Sequence, residues 1–360
     1  MTAEADRRFM ALALSLATRG LGQVWPNPAV GCVIVREDRI VGRGWTQRGG
    51  RPHAETVALD QAGAAARGAT AYVTLEPCSH HGQTPPCAGA LIAAGVARVV
   101  TCITDPDPRV SGRGIAMLRA AGITVETGLL ATEASALQKG FLSRVTSGRP
   151  MLTLKLAMSL DGRIATASGE SRWITGPEAR RAVHALRACH DAVLIGAGTA
   201  RADDPSLTVR GLGIARQPVR VVASARLGLP RDGALARTAH EVPLWLIHGP
   251  DADVAGWSAA RLIEVPAPEG RIDPTAMLAA LGQAGLTRIL CEGGGQLAAS
   301  LLRAGLADEI IGFTAGLMLG ADGRPAVGMM GIGALADAPR YRLADSNVIG
   351  PDLMHRWVRA

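Results

Sequence analysis

The sequence predicts a two-domain α/β protein, and three observations carry that prediction. Short strand-like runs alternate with segments of helical period along the whole chain, the pattern of an α/β layer fold. A breaker cluster, Ser147-Gly148-Arg149-Pro150, interrupts the alternation. The length of 360 residues suits about two domains at the usual ~150 residues each. The domains are therefore expected to be residues 1–147 and 148–360.

Residues Ala3 to Gly20 predict an amphipathic helix, with Phe9, Ala13, Leu16 and Ala17 at helical spacing. Val30 to Val35 and Ile40 to Gly44 are strand-like runs around Arg36-Glu37-Asp38-Arg39, a hairpin. His53 opens a second helix reaching about Ala66, Thr70 to Leu75 is a strand, and Pro85-Pro86 before Cys87 is a helix start. Val96 to Ile103 and Ile123 to Thr127 are strands around a helix from Gly114 to Ala121, and a last helix runs from about Thr132 to Thr146. Beyond the breaker, strands are expected at Met151 to Met158, Ala192 to Ile195, Val219 to Val222, Leu244 to His248 and Arg288 to Cys291. Helices are expected between them at Pro177 to Cys189, Pro274 to Gly285 and Gln296 to Ala304.

Composition narrows the function. Hydrophobic residues at 48% and charged residues at 19% fit a globular chain, not a disordered one. The net charge of +7 invites a nucleic-acid reading, but only Lys139 and Lys155 are lysines among 38 basic residues, and aromatics are 3%. Base-stacking platforms need aromatic rings, so a phosphorylated small molecule is the milder explanation of a basic site. The N-terminus shows no positive-then-apolar signal pattern, and no run approaches ~18 uncharged apolar residues; the richest, Ile310 to Ala321, stops at Asp322. Six dispersed cysteines form no disulfide framework. A cytoplasmic protein without membrane or nucleic-acid partners is expected, and a homo-oligomer, dimer or tetramer.

The chemistry-bearing residues lie in the first half. His53-Ala54-Glu55 is followed by Pro77-Cys78 and then Cys87. One imidazole and two thiols are a zinc ligand set, and three protein ligands leave a fourth position for water. Zinc lowers the pKa of such a water toward ~7, and a carboxylate that ligates nothing, here Glu55, can move its proton to departing ammonia. Each residue alone is commonplace; the four together at this spacing point to a zinc deaminase. Residues two apart do not share a helix face, so His53 and Glu55 must sit where the helix begins. Cys87, at another helix start, is expected to gain thiolate character from the helix dipole. A structural zinc site would need a fourth protein ligand, from His80 or His81, and would leave Glu55 without a proton to move.

Usual deaminases pair the cysteines as C-x-x-C, whereas here Ser79 to Pro86 separate them. The stretch Thr74-Leu75-Glu76-Pro77-Cys78-Ser79-His80-His81-Gly82-Gln83-Thr84-Pro85-Pro86-Cys87, with Pro26-Asn27-Pro28-Ala29-Val30-Gly31 upstream, resembles the bifunctional riboflavin-biosynthesis deaminase/reductase family. The resemblance implies a cytidine-deaminase-like α/β/α domain. It also implies loss of the ring 2-amino group from 2,5-diamino-6-ribosylamino-4(3H)-pyrimidinone 5′-phosphate as ammonia. It gives Asn27 a part in holding the pyrimidine and sets the Ser79 to Thr84 loop, with His80, His81 and Gln83, beside the substrate.

In the second half no G-x-G-x-x-G follows a strand, so the dinucleotide fingerprint is absent. Arg288 to Gln296 instead reads as strand, glycine turn and helix, where backbone N–H groups can approach an anion. Lys155 to Arg163, Ser171-Arg172-Trp173-Ile174-Thr175 and Gly196 to Arg210 resemble the reductase half of the same family, with a dihydrofolate-reductase-like α/β fold. That resemblance implies NADPH contacts from Ala157, Trp173, Thr199, Asp203, Ser224, Gly294, Gly295 and Gln296, in a loop reaching Ser300. It implies substrate contacts from Ser171, Arg187, Leu207, Arg210 and Glu292. Arg187 and Arg210 can grip a phosphate bidentately. Lys155 and Glu292 are alternative candidates for acid/base work. Where the family tends to Asp-Ser, this chain has Ala223-Ser224, and Ala315 to Gly333 is glycine- and Met-rich. Two rivals remain: a cytidine- or adenosine-type deaminase carrying a nucleotide-binding partner domain, and a zinc-stapled nucleic-acid-binding protein.

Overall fold

The structure, a computed structural model, describes residues 2–80 and 85–360. The chain divides into two compact units, Met1–Gly148 and Arg149–Ala360.

In the first unit, helix α1 (Ala3–Ala17) is capped by the Thr2 side chain, which accepts one of the N–H groups a helix start leaves unpaired. Strands β1 (Gly31–Arg36) and β2 (Arg39–Trp45) follow. They pair antiparallel through a two-residue turn, Glu37-Asp38, both at positive φ, which suits the twist of a hairpin. Then come α2 (Ala54–Ala62), β3 (Thr70–Val73), α3 (Cys87–Ala93), β4 (Arg98–Thr101), α4 (Arg113–Ala120), β5 (Thr124–Thr127) and α5 (Ala131–Ser147). The sheet order is β2-β1-β3-β4-β5, antiparallel up to β3 and parallel beyond it. Alternate residues of β1 serve opposite faces, as the strand period requires. Cys32 and Ile34 pack with Ala58 of α2, Leu91 of α3 and Leu118 of α4. Val33 and Val35 pack with Phe9 and Ala13 of α1 and Ala134 of α5. The expected α/β/α layering is present.

The second unit contains β6 (Met151–Ser159), β7 (Arg163–Ala165), α6 (Pro177–Ala188), β8 (Ala192–Gly196), α7 (Ala197–Asp203), β9 (Val219–Ala223), α8 (Ala234–Arg237), β10 (Leu244–His248) and β11 (Arg261–Glu264). It continues with α9 (Pro274–Gln283), β12 (Arg288–Gly293), α10 (Gly295–Arg303), β13 (Glu309–Ala315), β14 (Arg324–Pro325), β15 (Tyr341–Ile349) and β16 (Asp352–Arg359). Nine strands form one sheet in the order β11-β10-β9-β8-β12-β6-β13-β16-β15. The seven from β11 to β13 run parallel, while β16 and β15 are antiparallel to their neighbours. The carboxyl ends of β6, β8, β9 and β12 thus share one edge, where open parallel sheets bind ligands.

Three differences from expectation have physical causes. The apolar run at Ile310 begins inside β13, a strand between two others, and strands buried on both faces read as continuous apolar stretches. Helix α7 hides behind Gly196-Ala197-Gly198, poor helix formers apart from alanine. Strand β15 contains Asp345, Ser346 and Asn347 and is largely exposed; it exists because β16 pairs with it, not through intrinsic preference. Among the described residues no helix is long and apolar enough to cross a membrane.

Candidate functional site

His53 is the N-cap of α2, with extended backbone (φ −71°, ψ 161°), while Glu55 lies in the first helical turn. The side chains of residues two apart therefore converge, because only the second obeys the helical period. Cys87 opens α3, and its backbone N–H donates to the Cys78 Sγ at 3.3 Å. The His53 Nδ1 lies 3.3 Å from the Cys87 Sγ and 3.7 Å from the Cys78 Sγ. All three ligand atoms fall within 4.8 Å of one another. Zn–N and Zn–S bonds of ~2.0–2.3 Å in a tetrahedron imply an N···S edge of about 3.5 Å, so the donor set fits zinc in both chemistry and spacing. His80 is not in this cluster among the described residues; His81 and Gln83 lie outside them.

The electrostatics correct one expectation. Cys78, not Cys87, is the thiol held acidic, at about 4, by hydrogen bonds from Cys87 and His53 against the opposing effect of burial. As the donor in that pair, and buried, Cys87 is pushed up. Glu55, 3% exposed, is pushed up to about 6 by burial and then by the Cys78 charge, with His53 opposing. A carboxyl so tuned can both take and give a proton near neutral pH.

His53, Glu55 and Cys78 line a cleft of about 580 Å³, together with Asn27, Asp105, Asp107 and Arg109. That volume accommodates a small ligand. The Asn27 Nδ2 donates to the Gly50 carbonyl at 3.1 Å, so its amide oxygen and second amide hydrogen remain to meet a ligand. Asp105, Asp107 and Arg109 were not anticipated from the sequence. Their signal was Asp105-Pro106-Asp107-Pro108 in the loop that follows β4. Burial pushes Asp105 up to about 6, with the N–H of Asp107 opposing, whereas Arg109 holds Asp107 below the ordinary carboxylate value.

In the second unit, Glu292 lies near the end of β12 with its side chain 9% exposed. Arg187, on α6, forks onto it, Nε to Oε1 at 2.5 Å and Nη2 to Oε2 at 3.0 Å, and gives Nη1 to the Thr208 carbonyl at 2.9 Å. The guanidinium expected to grip phosphate thus orients Glu292. Lys155, on β6, stands 3.8 Å from the same carboxylate. Burial pushes Glu292 up, but the charge and hydrogen bonds of Arg187 and the charge of Lys155 outweigh it, and its pKa is lowered. Held ionised, it is no proton donor at neutral pH. Arg210 is exposed, and its backbone N–H donates to the His184 Nδ1 at 3.2 Å.

Around the same sheet edge, Gly293 and Gly294 both take positive φ before α10, a conformation glycine adopts at no steric cost. A Cβ on Gly294 would stand 3.0 Å from the Thr199 Oγ1, so the turn packs directly on the Thr199 side chain of α7. The glycine-rich segment closes on this turn, Gly328 N–H donating to the Gly295 carbonyl at 2.8 Å. Gln296 is exposed, Asp203 and Ser171 are half-buried, and Ala157 lies on β6. Ser224 follows β9, its N–H on the Ile247 carbonyl at 2.9 Å. Trp173 is 68% exposed under the guanidinium of Arg180, 4.5 Å from its ring centre. Leu207 is 3% exposed within an apolar cluster, so only its backbone is free to meet a ligand.

Comparison with known proteins agrees with both units. Residues 3–103 match the cytidine and deoxycytidylate deaminase zinc-binding region, and residues 150–355 match the RibD C-terminal domain. The riboflavin biosynthesis protein RibD of Escherichia coli (strain K12) is 46% identical over 99% of this chain and 100% of its own length. That of Aquifex aeolicus (strain VF5) is 40% identical over 98% of each. Among solved structures, Acinetobacter baumannii RibD superposes with TM-score 0.90 at 39% identity. A Thermotoga maritima diaminohydroxyphosphoribosylaminopyrimidine deaminase/5-amino-6-(5-phosphoribosylamino)uracil reductase superposes with TM-score 0.88 at 33% identity. Both cover 99% of this chain and 99% of their own. A zinc-deaminase unit joined to a reductase unit, similar throughout to such relatives, makes this chain a member of the RibD family of bifunctional riboflavin-biosynthesis deaminase/reductases.

Proposed function

We propose that the first unit deaminates 2,5-diamino-6-ribosylamino-4(3H)-pyrimidinone 5′-phosphate and that the second reduces its ribosyl group to ribityl, giving 5-amino-6-ribitylamino-uracil 5′-phosphate. The observation that carries this reading is a buried Glu55, poised near pH 6, beside a His/Cys/Cys cluster at a cleft. Zinc held by His53, Cys78 and Cys87 supplies the Lewis acidity. Glu55 takes a proton from the attacking water and delivers it to the amine, which leaves as ammonia while the water oxygen stays on the ring carbon. Asn27 offers its amide oxygen to the pyrimidine.

In the second unit the glycine turn Gly293-Gly294, with Thr199 beside it at the carboxyl end of the parallel strands, suits NADPH, which supplies the hydride when bound. Ala157, Trp173, Asp203, Ser224, Gly295 and Gln296 complete its contacts in this reading. Arg187 fixes Glu292, Glu292 holds Lys155, and the ammonium of Lys155 offers a proton to the sugar oxygen as the chain opens. Ser171, Arg210 and the Leu207 backbone hold the substrate.

Replacing Glu55 with Gln keeps the shape and removes the proton carrier. Deamination is expected to fall by on the order of 10²–10⁴-fold, with one zinc per chain retained and reduction of the deaminated compound unchanged. Ammonia release at the parent rate would contradict the assignment.

A further inference from the structure

We propose that Glu76 is a positioning residue for the deamination: it clamps the rim of the cleft, the loop of residues 105–112, onto the turn that carries Cys78. The inference rests on the deaminase reading above and goes beyond it.

Glu76 is 3% exposed, and its carboxylate accepts four backbone N–H groups. Its Oε2 receives those of Asp105 at 3.2 Å and Gly112 at 2.9 Å, and its Oε1 those of Gly114 at 3.0 Å and Ile115 at 3.2 Å. A carboxylate offers about four lone-pair sites, so these four donors saturate it. Its partners bracket the rim loop at both ends. Helix α4 has Gly112 as its N-cap and no capping side chain of its own; in its first turn the N–H groups of Gly114 and Ile115 are satisfied from Glu76 and that of Arg113 from the Val110 carbonyl. The approach is close, since a Cβ on Gly114 would stand 2.0 Å from the Pro77 carbonyl oxygen.

From that anchor the order propagates along the rim. Asp107 N–H donates to the Asp105 Oδ1 at 2.9 Å, and Arg109 N–H to the Asp107 Oδ1 at 2.9 Å. The Arg109 guanidinium closes on Asp107 through Nε and Nη2, at 3.0 and 2.5 Å. Asp105, Asp107 and Arg109 thereby face the cleft in one arrangement. Cys78 has separate support, from Cys87 N–H on its Sγ and Ala88 N–H on its carbonyl at 3.1 Å. Loosening the clamp therefore disturbs the grip on substrate, not the metal ligands. An amide at position 76 would turn an NH₂ toward two of the N–H donors.

The test uses the full chain as Glu76→Gln and, separately, Glu76→Ala. Zinc per chain, KM and kcat for the diaminopyrimidine ribosylamino phosphate, and hydrogen exchange of the amides of Asp105, Gly112, Gly114 and Ile115 are measured. Both variants are expected to keep one zinc and kcat within a few-fold, to raise KM on the order of 10- to 100-fold, and to exchange these amides faster. An unchanged KM in a zinc-loaded variant overturns the proposal, as does loss of zinc and kcat in parallel, which marks Glu76 as merely structural. If neither variant folds, exchange in the parent decides: slow exchange at all four amides supports the clamp, and loop-like exchange overturns it. A parent that leaves this pyrimidine untouched overturns the substrate assignment, while the zinc and exchange results still judge the clamp.

Discussion

Glu55 and Glu292 are both buried carboxylates, and their neighbours drive them in opposite directions. Burial raises both, but Glu55 also faces a thiolate and rises to about 6, whereas Glu292 faces two cations that outweigh burial, and falls. The first is suited to moving protons and the second to holding charge in place. Replacing Glu292 with Gln removes the counter-charge of Arg187 and Lys155, so reduction is expected to slow on the order of 10²-fold while ammonia release stays at the parent rate. NADPH consumption and ammonia release, assayed on the same variant, check this. Glu55 was legible in the sequence because His53 and two cysteines accompany it at recognisable spacing. The pairing of Arg187 with Glu292 was not, since residues 105 positions apart meet only when α6 packs on the sheet, against β6 and β13. Asp107 and Arg109 were hidden for a similar reason: nothing local marks which face of a loop lines a cleft.

At the scale of elements, helix starts place the chemistry. The N-cap conformation of His53 reconciles a two-residue spacing with one metal centre, and Glu76 caps α4 from a neighbouring turn. The end of α6 is held by His190, 3% exposed, whose ring nitrogens lie 2.6 Å from the Leu186 carbonyl oxygen and 3.1 Å from the Thr153 hydroxyl. Burial first, and then the Arg288 charge, push its pKa down to about 3. Unfolded histidine protonates near pH ~6.5, so unfolding takes up a proton between these values and acid favours it. The stability that His190 contributes is complete above about pH 6.5 and is lost as pH falls toward 3. A melting series of the parent and His190→Gln should show their difference narrowing on acidification; a constant gap would contradict the neutral, buried assignment. Five of the seven parallel strands of the second unit were readable as apolar runs, whereas β11 and β13 were not; nor was β15, because its pairing with β16 and not its composition makes it a strand.

For the whole molecule, sequence motifs located both active units, since metal-ligand spacing and the glycine turn are local. Sheet order, the rim clamp and the partners of buried charges were not readable, because each depends on which distant segments become neighbours. The central claim is that one chain carries both steps. It is tested most directly by product mass spectrometry after incubating the purified protein with the diaminopyrimidine ribosylamino phosphate, with and without NADPH. Without NADPH the product should exchange one amine for oxygen; with NADPH it should also gain two hydrogens. An unchanged mass in both tubes, with zinc present on the chain, would contradict the account.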